Sequence, residues 1–245
     1  MLAEIPLTLI IADYSQQDSI ADCLGNLNSW SPSRIIVSNR SHLKDRLCDD
    51  FSSKFVLHKS NSIYQLWKRG LRESKTQWNL LITSNEIVTG KLKKSVENQI
   101  KNIPTTEELY KFKKKVIFLK KVLKYPLTWP AEFPSCLVFI PQTGNLPFGP
   151  GSYHSSPYLP GELIHFSRPT LTDSIHEVTR LAEIEADEIF RASSSQNLAT
   201  LIFKTIWKSG YRFFNNLILK NGFRERYEGI VFSILGGAVP ILGLL

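Results

Sequence analysis

Apolar and polar positions follow two periods along the first hundred residues. Residues 7–12 form an unbroken apolar run, the pattern of a strand buried on both faces of a parallel sheet. Ile20, Cys23, Leu24 and Leu27 then fall at i, i+3, i+4 and i+7, a single helical stripe with Asp18 or Ser19 placed to cap it. Residues 34–37 predict a second strand ending at Ser38 and Asn39, residues 55–57 a short third and residues 80–82 a fourth. Between the last two, Ile63, Leu66, Trp67, Gly70 and Leu71 return to helical spacing, which makes Trp67 a core residue. After the fourth strand a helix begins at Thr89 and carries Leu92, Val96 and Ile100. Strands alternating with helices in this way make βαβ crossovers, so the predicted class is α/β, with a mainly parallel sheet flanked by helices.

Beyond Pro104 the pattern loosens. Residues 111–124 are heavily basic, and residues 126–160 hold many of the prolines and glycines, which predicts an irregular region. Residues 162–167 read as a returning strand. Thr172 and Asp173 can cap a helix reaching about Arg191, and a serine-rich hinge follows at 193–195. Across 199–223, Lys204, Lys208 and Arg212 recur every fourth position beside Ile202, Ile206, Phe213 and Leu217. That is a basic amphipathic helix. Residues 229–245 carry no charge but include Gly236, Gly237, Pro240 and Gly243. Their length lies near the lower limit of roughly 17 to 25 residues for a spanning helix, so they read as a membrane-embedded or re-entrant tail. Lys204, Lys208 and Arg212 would then face an anionic leaflet, each contributing about 1 kcal/mol.

The composition suits a globular chain of 245 residues, with 42% hydrophobic and 21% charged positions, enough for one sizeable domain and an appendage. A formal charge of +8 points to an anionic partner, whether nucleic acid, a phosphate-rich substrate or a membrane surface. Nucleic acid is set aside, because the basic residues are spread over separate helices and no recognised nucleic-acid motif is present. Cys23, Cys48 and Cys136 share no ligand spacing, which argues against a disulfide framework or zinc site and for a reducing cytoplasm. The apolar run near the start lacks a basic leader and a cleavage site, so it reads as a strand and not a signal peptide.

The candidate chemistry lies in residues 78–89, W-N-L-L-I-T-S-N-E-I-V-T, where a strand ends in a polar cluster. Ligands of open α/β sheets bind beyond such carboxyl ends. Thr83, Ser84 and Asn85 are neutral and leave Glu86 as the one carboxylate. Asp13 and Asn39 end the first and second strands and can meet the same ligand, Asn39 by accepting from and donating to a uracil-like edge. Asn and Asp also stabilise turns after strands without any ligand, and both readings stand at this point.

Together these pieces resemble the family 2 glycosyltransferases of GT-A fold, more closely the bacterial lipopolysaccharide-core glucosyltransferase branch. L-T-L-I-I-A-D-Y-S-Q-Q-D-S-I-A-D-C-L is similar to that branch's first strand, T-Y-N-E-E loop and I-x-D-C-L helix, with Asp13, Ser15 and Gln16 where the family has Thr, Asn and Glu. R-I-I-V-S-N-R-S resembles the second strand, with Asn39 in place of a nucleotide-binding Asp. W-N-L-L-I-T-S-N-E-I-V-T resembles W-I-L-F-L-D-A-D-E-R-V-T, whose paired aspartates hold the metal and the nucleotide diphosphate. E-L-I-H-F-S-R-P-T-L is similar to a strand ending H-Y-S, in which His165 reads as structural. Where the family carries a His-Glu pair, His154 is followed by Ser155 and Ser156.

The resemblance implies a GT-A-like, Rossmann-like domain over 1–192, with a nucleotide-binding half (1–103) and an acceptor-side half (104–192), then a helical membrane-associating extension over 193–245. It implies transfer from a nucleotide-diphosphate sugar to a glycan or glycolipid acceptor in cell-envelope synthesis, at the cytoplasmic face of the membrane. The implied donor site is Ala12, Asp13, Ser15, Asn39, Ser84, Asn85 and Glu86, with His154 the weak catalytic candidate. Manganese or magnesium would bind only if Glu86 suffices, since hard cations take carboxylate oxygens. A metal-free site needs cations instead, and Arg40, Lys44 and Arg46 stand nearest in sequence. The altered aspartates leave two possibilities open: an active transferase, or an inactive relative that binds a nucleotide sugar or a partner without turnover.

Overall fold

A computed structural model describes residues 6–14, 19–28, 30, 33–41, 53–60, 62–102, 104, 108–125, 127, 135–140, 156–167, 170–193 and 197–244. Ser15, Lys44, Arg46, Cys48, His154 and residues 194 and 195 of the expected hinge lie outside these residues, while Ser193 ends a helix. The described chain groups into two compact units, one of Met1–Lys114 and Glu132–His165, the other of Lys115–Ala131 and Phe166–Leu245.

In the first unit β1 (Leu7–Asp13), α1 (Ser19–Leu27), β2 (Ser33–Ser38), β3 (Lys54–Leu57), α2 (Ile63–Leu71) and β4 (Trp78–Thr83) follow the predicted order. Their strands are parallel and lie in the order β3-β2-β1-β4. Alternate residues of a strand point to opposite faces, and the two faces are buried by different helices. Leu9 and Ile11 of β1 pack with Leu80 and Ile82 against Ile20, Cys23, Leu24 and Leu27 of α1. Ile10, Ala12, Val37 and Leu81 pack on the other side against Ile63, Leu66, Trp67 and Leu71 of α2. Burial on both faces is why residues 7–12 contain no polar alternation.

The rest of the sheet is antiparallel, so the sheet as a whole is mixed. After a turn at Ser84 and Asn85 the chain forms a short strand, β5 (Glu86–Val88), before α3 (Gly90–Gln99), which Thr89 caps by accepting from the Leu92 N–H. Then come β6 (Glu108–Phe118), β7 (Lys121–Val122), β8 (Cys136–Phe139) and β9 (Tyr158–Phe166). The nine-stranded order is β3-β2-β1-β4-β8-β6-β9-β5, with β7 paired to β6. Two of these strands fall where irregular chain is predicted. In β6 the lysines hide the alternation, for Lys111 is buried while Lys113 is exposed; long aliphatic stems let lysine cover apolar surface. β8 is only four residues long, too short for periodicity to reveal.

In the second unit α4 (Leu171–Ser193), α5 (Leu198–Phe214) and α6 (Tyr227–Leu244) pack together. A π-helical turn (Asn215–Leu219) and a 3-10 turn (Gly222–Glu225) join the last two. Predicted residues 199–223 therefore divide into one helix and a structured turn, and the apolar tail is one helix with Pro240 inside it.

Gly70 sets how closely α2 approaches the sheet. A Cβ there would lie 2.4 Å from Ile10 Cγ2 and 3.0 Å from Val37 Cγ2, so Gly70→Ala should lower stability. The expected loss is about 1–3 kcal/mol, the cost of overpacking a filled core, read from urea unfolding. Unchanged stability would show that α2 stands off the sheet.

Candidate functional site

Strand order places the site. β1 connects through α1 to β2 on one side, while the chain returns to the other side of β1 to form β4. The crevice between the carboxyl ends of β1 and β4 is thus a topological switch point, where open α/β sheets bind ligands. Register brings the predicted residues to that end: Ala12 pairs with Thr83, and Asp13 with Ser38. The Ser84 N–H donates to the Ala12 carbonyl at 3.0 Å, tying the β4 turn to β1.

Asp13 is fully buried and already engaged. The Arg40 guanidinium donates from Nη2 to Oδ1 at 2.8 Å and from Nε to Oδ2 at 3.1 Å, and the Ser38 hydroxyl donates to Oδ2 at 2.6 Å. A ligand at this corner meets Arg40 together with Asp13 and not a bare carboxylate. Asn39 sits between these two partners, half-buried at the end of β2. In the β4 turn the Thr83 hydroxyl donates to Asn85 Oδ1 at 2.6 Å. Ser84 differs from its neighbours: its side chain is fully buried and its Oγ has no hydrogen-bond partner. Such an orphan costs roughly 1–3 kcal/mol unless a ligand or water satisfies it.

Glu86 is the most constrained group of the unit, with no exposed surface. Oε2 accepts from the Thr83 N–H at 2.9 Å and from the Ser135 hydroxyl. Oε1 faces the Lys114 ammonium at 2.6 Å and His165 Nδ1 at 3.3 Å. Glu86 and His165 are also paired across β5 and β9. Burial alone would raise this carboxyl, but the Lys114 charge and the bond and charge of His165 outweigh it and hold Glu86 well below the usual carboxylate range. Cys23 and Cys136 flank the corner; burial first, then the Glu86 charge, pushes both thiols far up, which keeps them protonated and unreactive.

The residues present do not fit a divalent cation. Both Glu86 oxygens are engaged, Lys114 already supplies the compensating charge, and Asp13 is held by Arg40. Among the described residues no three of His, Cys, Asp and Glu are placed to share an ion.

In the second unit Lys208 and Arg212, expected to face a membrane, turn instead to Glu185, with Arg212 Nη1 at 3.0 Å from Oε2. Lys204 is exposed. Sequence reasoning missed Lys114 and Ser135, whose distance from Glu86 in the chain gives no local signal. His165 was expected to be structural, and its place on Glu86 gives that role a partner.

The described residues form an α/β fold that gathers Asp13, Asn39, Ser84 and Asn85 near the carboxyl ends of its parallel strands. No protein-family model matches the sequence, and no curated protein matches it. Among solved structures the chain is similar to S. aureus TarS 1–349, at 12% identity and TM-score 0.41, and to the same protein in complex with UDP, at 12% identity and TM-score 0.45. Each match covers 90% of this chain and 75% of that chain.

Because the folded chain favours ionised Glu86, this group contributes stability above its unfolded pKa of about 4.3 and loses it as pH falls toward the depressed folded value. Urea unfolding should therefore show Glu86-dependent stability that is flat from pH 7 to about 5 and falls below about 4. Glu86→Gln should remove that acid limb and cost about 3 kcal/mol at pH 7, the lower end for a broken buried pair because Lys114 keeps part of its side chain in water. A variant as stable as the parent at pH 7 would contradict the buried network.

Proposed function

We propose that this chain is a glycosyltransferase-like protein of GT-A-like architecture that binds a nucleotide-diphosphate sugar at the carboxyl ends of β1, β2 and β4. The observation that carries this reading is the buried, unpartnered Ser84 hydroxyl in the turn at the switch point. The motif resemblance of strands 7–12, 34–37 and 78–83 supports it, as does the gathering of Asp13, Asn39, Ser84 and Asn85 at one end of a parallel sheet. On this reading Ser84 and Asn85 hydrogen-bond the donor, Asn39 reads the base, and Arg40 on Asp13 lends positive charge toward the diphosphate. Glu86 stays behind the site and fixes the turn. The acceptor is a glycan or glycolipid of the cell envelope, reached at the cytoplasmic face of the membrane.

A second reading, binding without turnover, draws on the same corner. Transfer needs a base for the acceptor hydroxyl, and both carboxylates here are occupied, Asp13 by Arg40 and Glu86 by Lys114.

Calorimetric titration of the purified chain with a panel of nucleotide-diphosphate sugars tests the donor site. Binding is expected to persist in a chelator, and Ser84→Ala and Asn85→Ala should each weaken it about 3- to 10-fold. No binding to any donor would refute the proposal. Donor hydrolysis in the same samples would rule out the inactive reading, and its absence alongside binding would favour it.

A further inference from the structure

The last two helices of the second unit carry large apolar side chains on their exposed faces. In α5 the buried positions are Leu201, Thr205 and Ser209. Ile202, Phe203, Ile206, Trp207, Tyr211 and Phe214 are exposed, Phe203 at 68% and Trp207 at 70%. By helical spacing these six occupy one half of the helix surface, with Lys204 at its margin. In α6 the inward positions include Gly229, Ser233, Gly236, Gly237 and Pro240. Tyr227, Ile230, Ile234, Ile241 and Leu242 point outward. A helix docked in water buries its large apolar side chains and shows its polar ones. The outward face of α5 reverses this, while α6 mixes the two, burying Phe232 and Val239 beside its glycines and showing its isoleucines.

The interior suits that reversal. Small residues allow close approach: a Cβ on Gly237 would lie 3.1 Å from Phe213 Cβ, and one on Gly243 2.8 Å from the Ala182 carbonyl. Two of the polar groups inside are satisfied there, Ser209 donating to the Gly237 carbonyl at 2.6 Å and Ser233 to the Gly229 carbonyl at 2.7 Å, while the buried Asn216 Oδ1 has no hydrogen-bond partner. Glu185 likewise takes up Lys208 and Arg212 within the unit. Helices associate this way in hydrocarbon, where the solvent gives no reason to hide a large apolar side chain and every polar group needs an internal partner. The turn joining the helices differs, with exposed Arg224 and Arg226 beside exposed Phe223 and Tyr227. Basic and aromatic side chains together are the composition of a headgroup boundary.

We infer that the outward apolar face of α5 and α6 sits in the acyl region of a lipid bilayer, with Arg224 and Arg226 at headgroup level. Phe203, Ile206 and Trp207 supply the insertion. Lys208 and Arg212 lie off this apolar face by helical spacing and are paired with Glu185, with 43% of the Lys208 side chain exposed. This rests on the membrane part of the proposed function, with an apolar attachment face in place of the basic one expected from the sequence, and it is independent of donor binding, which the nucleotide titration measures separately.

Vesicle flotation of the full chain tests it, using pure phosphatidylcholine and phosphatidylcholine with phosphatidylglycerol, at low salt and at about 1 M salt, where the Debye length is about 3 Å. The expected result is flotation with the neutral vesicles that salt does not reduce. Phe203→Ser combined with Trp207→Ser should cut the bound fraction at least about tenfold while circular dichroism shows the helices intact, and Lys204→Ala should leave it unchanged. Three outcomes would overturn the inference: binding confined to anionic vesicles and removed by salt, no flotation with either lipid, or a soluble dimer that the double variant dissociates. The wild-type salt comparison decides the matter even if the double variant fails to fold.

Discussion

A carboxylate with no exposed surface stays ionised only if its neighbours replace the water it has lost, and Glu86 draws those neighbours from four separate stretches of the first unit. Thr83 belongs to the end of β4, Lys114 to β6, Ser135 to the approach to β8, and His165 to β9. The corner after β4 is therefore fixed by strands that come later in the chain. That rigidity holds the Ser84–Asn85 turn against β1 through the Ser84 to Ala12 bond, and so shapes the switch-point crevice. The same arrangement decides what the corner can bind. A carboxylate committed to an ammonium, an imidazole and a hydroxyl has no oxygen left for a divalent cation.

The protein's basic excess has a related fate. Several cations are spent on buried acids: Arg40 on Asp13, Lys114 on Glu86, Lys208 and Arg212 on Glu185, and Lys121 on Glu225, which it shares with the half-buried Glu228. A formal charge of +8 thus does not translate into a continuous basic surface on α5, whose outward face is apolar. The lysines at every fourth position mark the helix, but Glu185 draws Lys208 and Arg212 while Lys204 stays exposed, since periodicity fixes which residues share a face and not what that face meets.

Much of the first unit was legible from residues alone. The runs at 7–12, 34–37 and 80–82 and the stripes of Ile20 to Leu27 and Ile63 to Leu71 mark the parallel strands and their helices, because burial on both sheet faces leaves little freedom of composition. β5, β6 and β8 were not legible. β5 has three residues, β8 has four, and the lysines of β6 mask its alternation. In the site, the positions of Asp13, Asn39, Ser84, Asn85 and Glu86 at one sheet end followed from the strand pattern. Their partners did not, since Glu86 meets Ser135 and His165 only through tertiary folding. The commitment of Asp13 to Arg40 was equally hidden, although the two lie close in sequence.

On the proposed function, Glu86 is a structural carboxylate behind a nucleotide-sugar site and not a metal ligand. A crystal structure grown with a nucleoside diphosphate and manganese, with the metal located by its anomalous scattering, tests this most directly. The expected result is the nucleotide beside Ser84, Asn85 and Arg40, with Glu86 still bound to Lys114, Ser135 and His165 and no manganese on its oxygens. Manganese coordinated by Glu86, with Lys114 turned away, would contradict it.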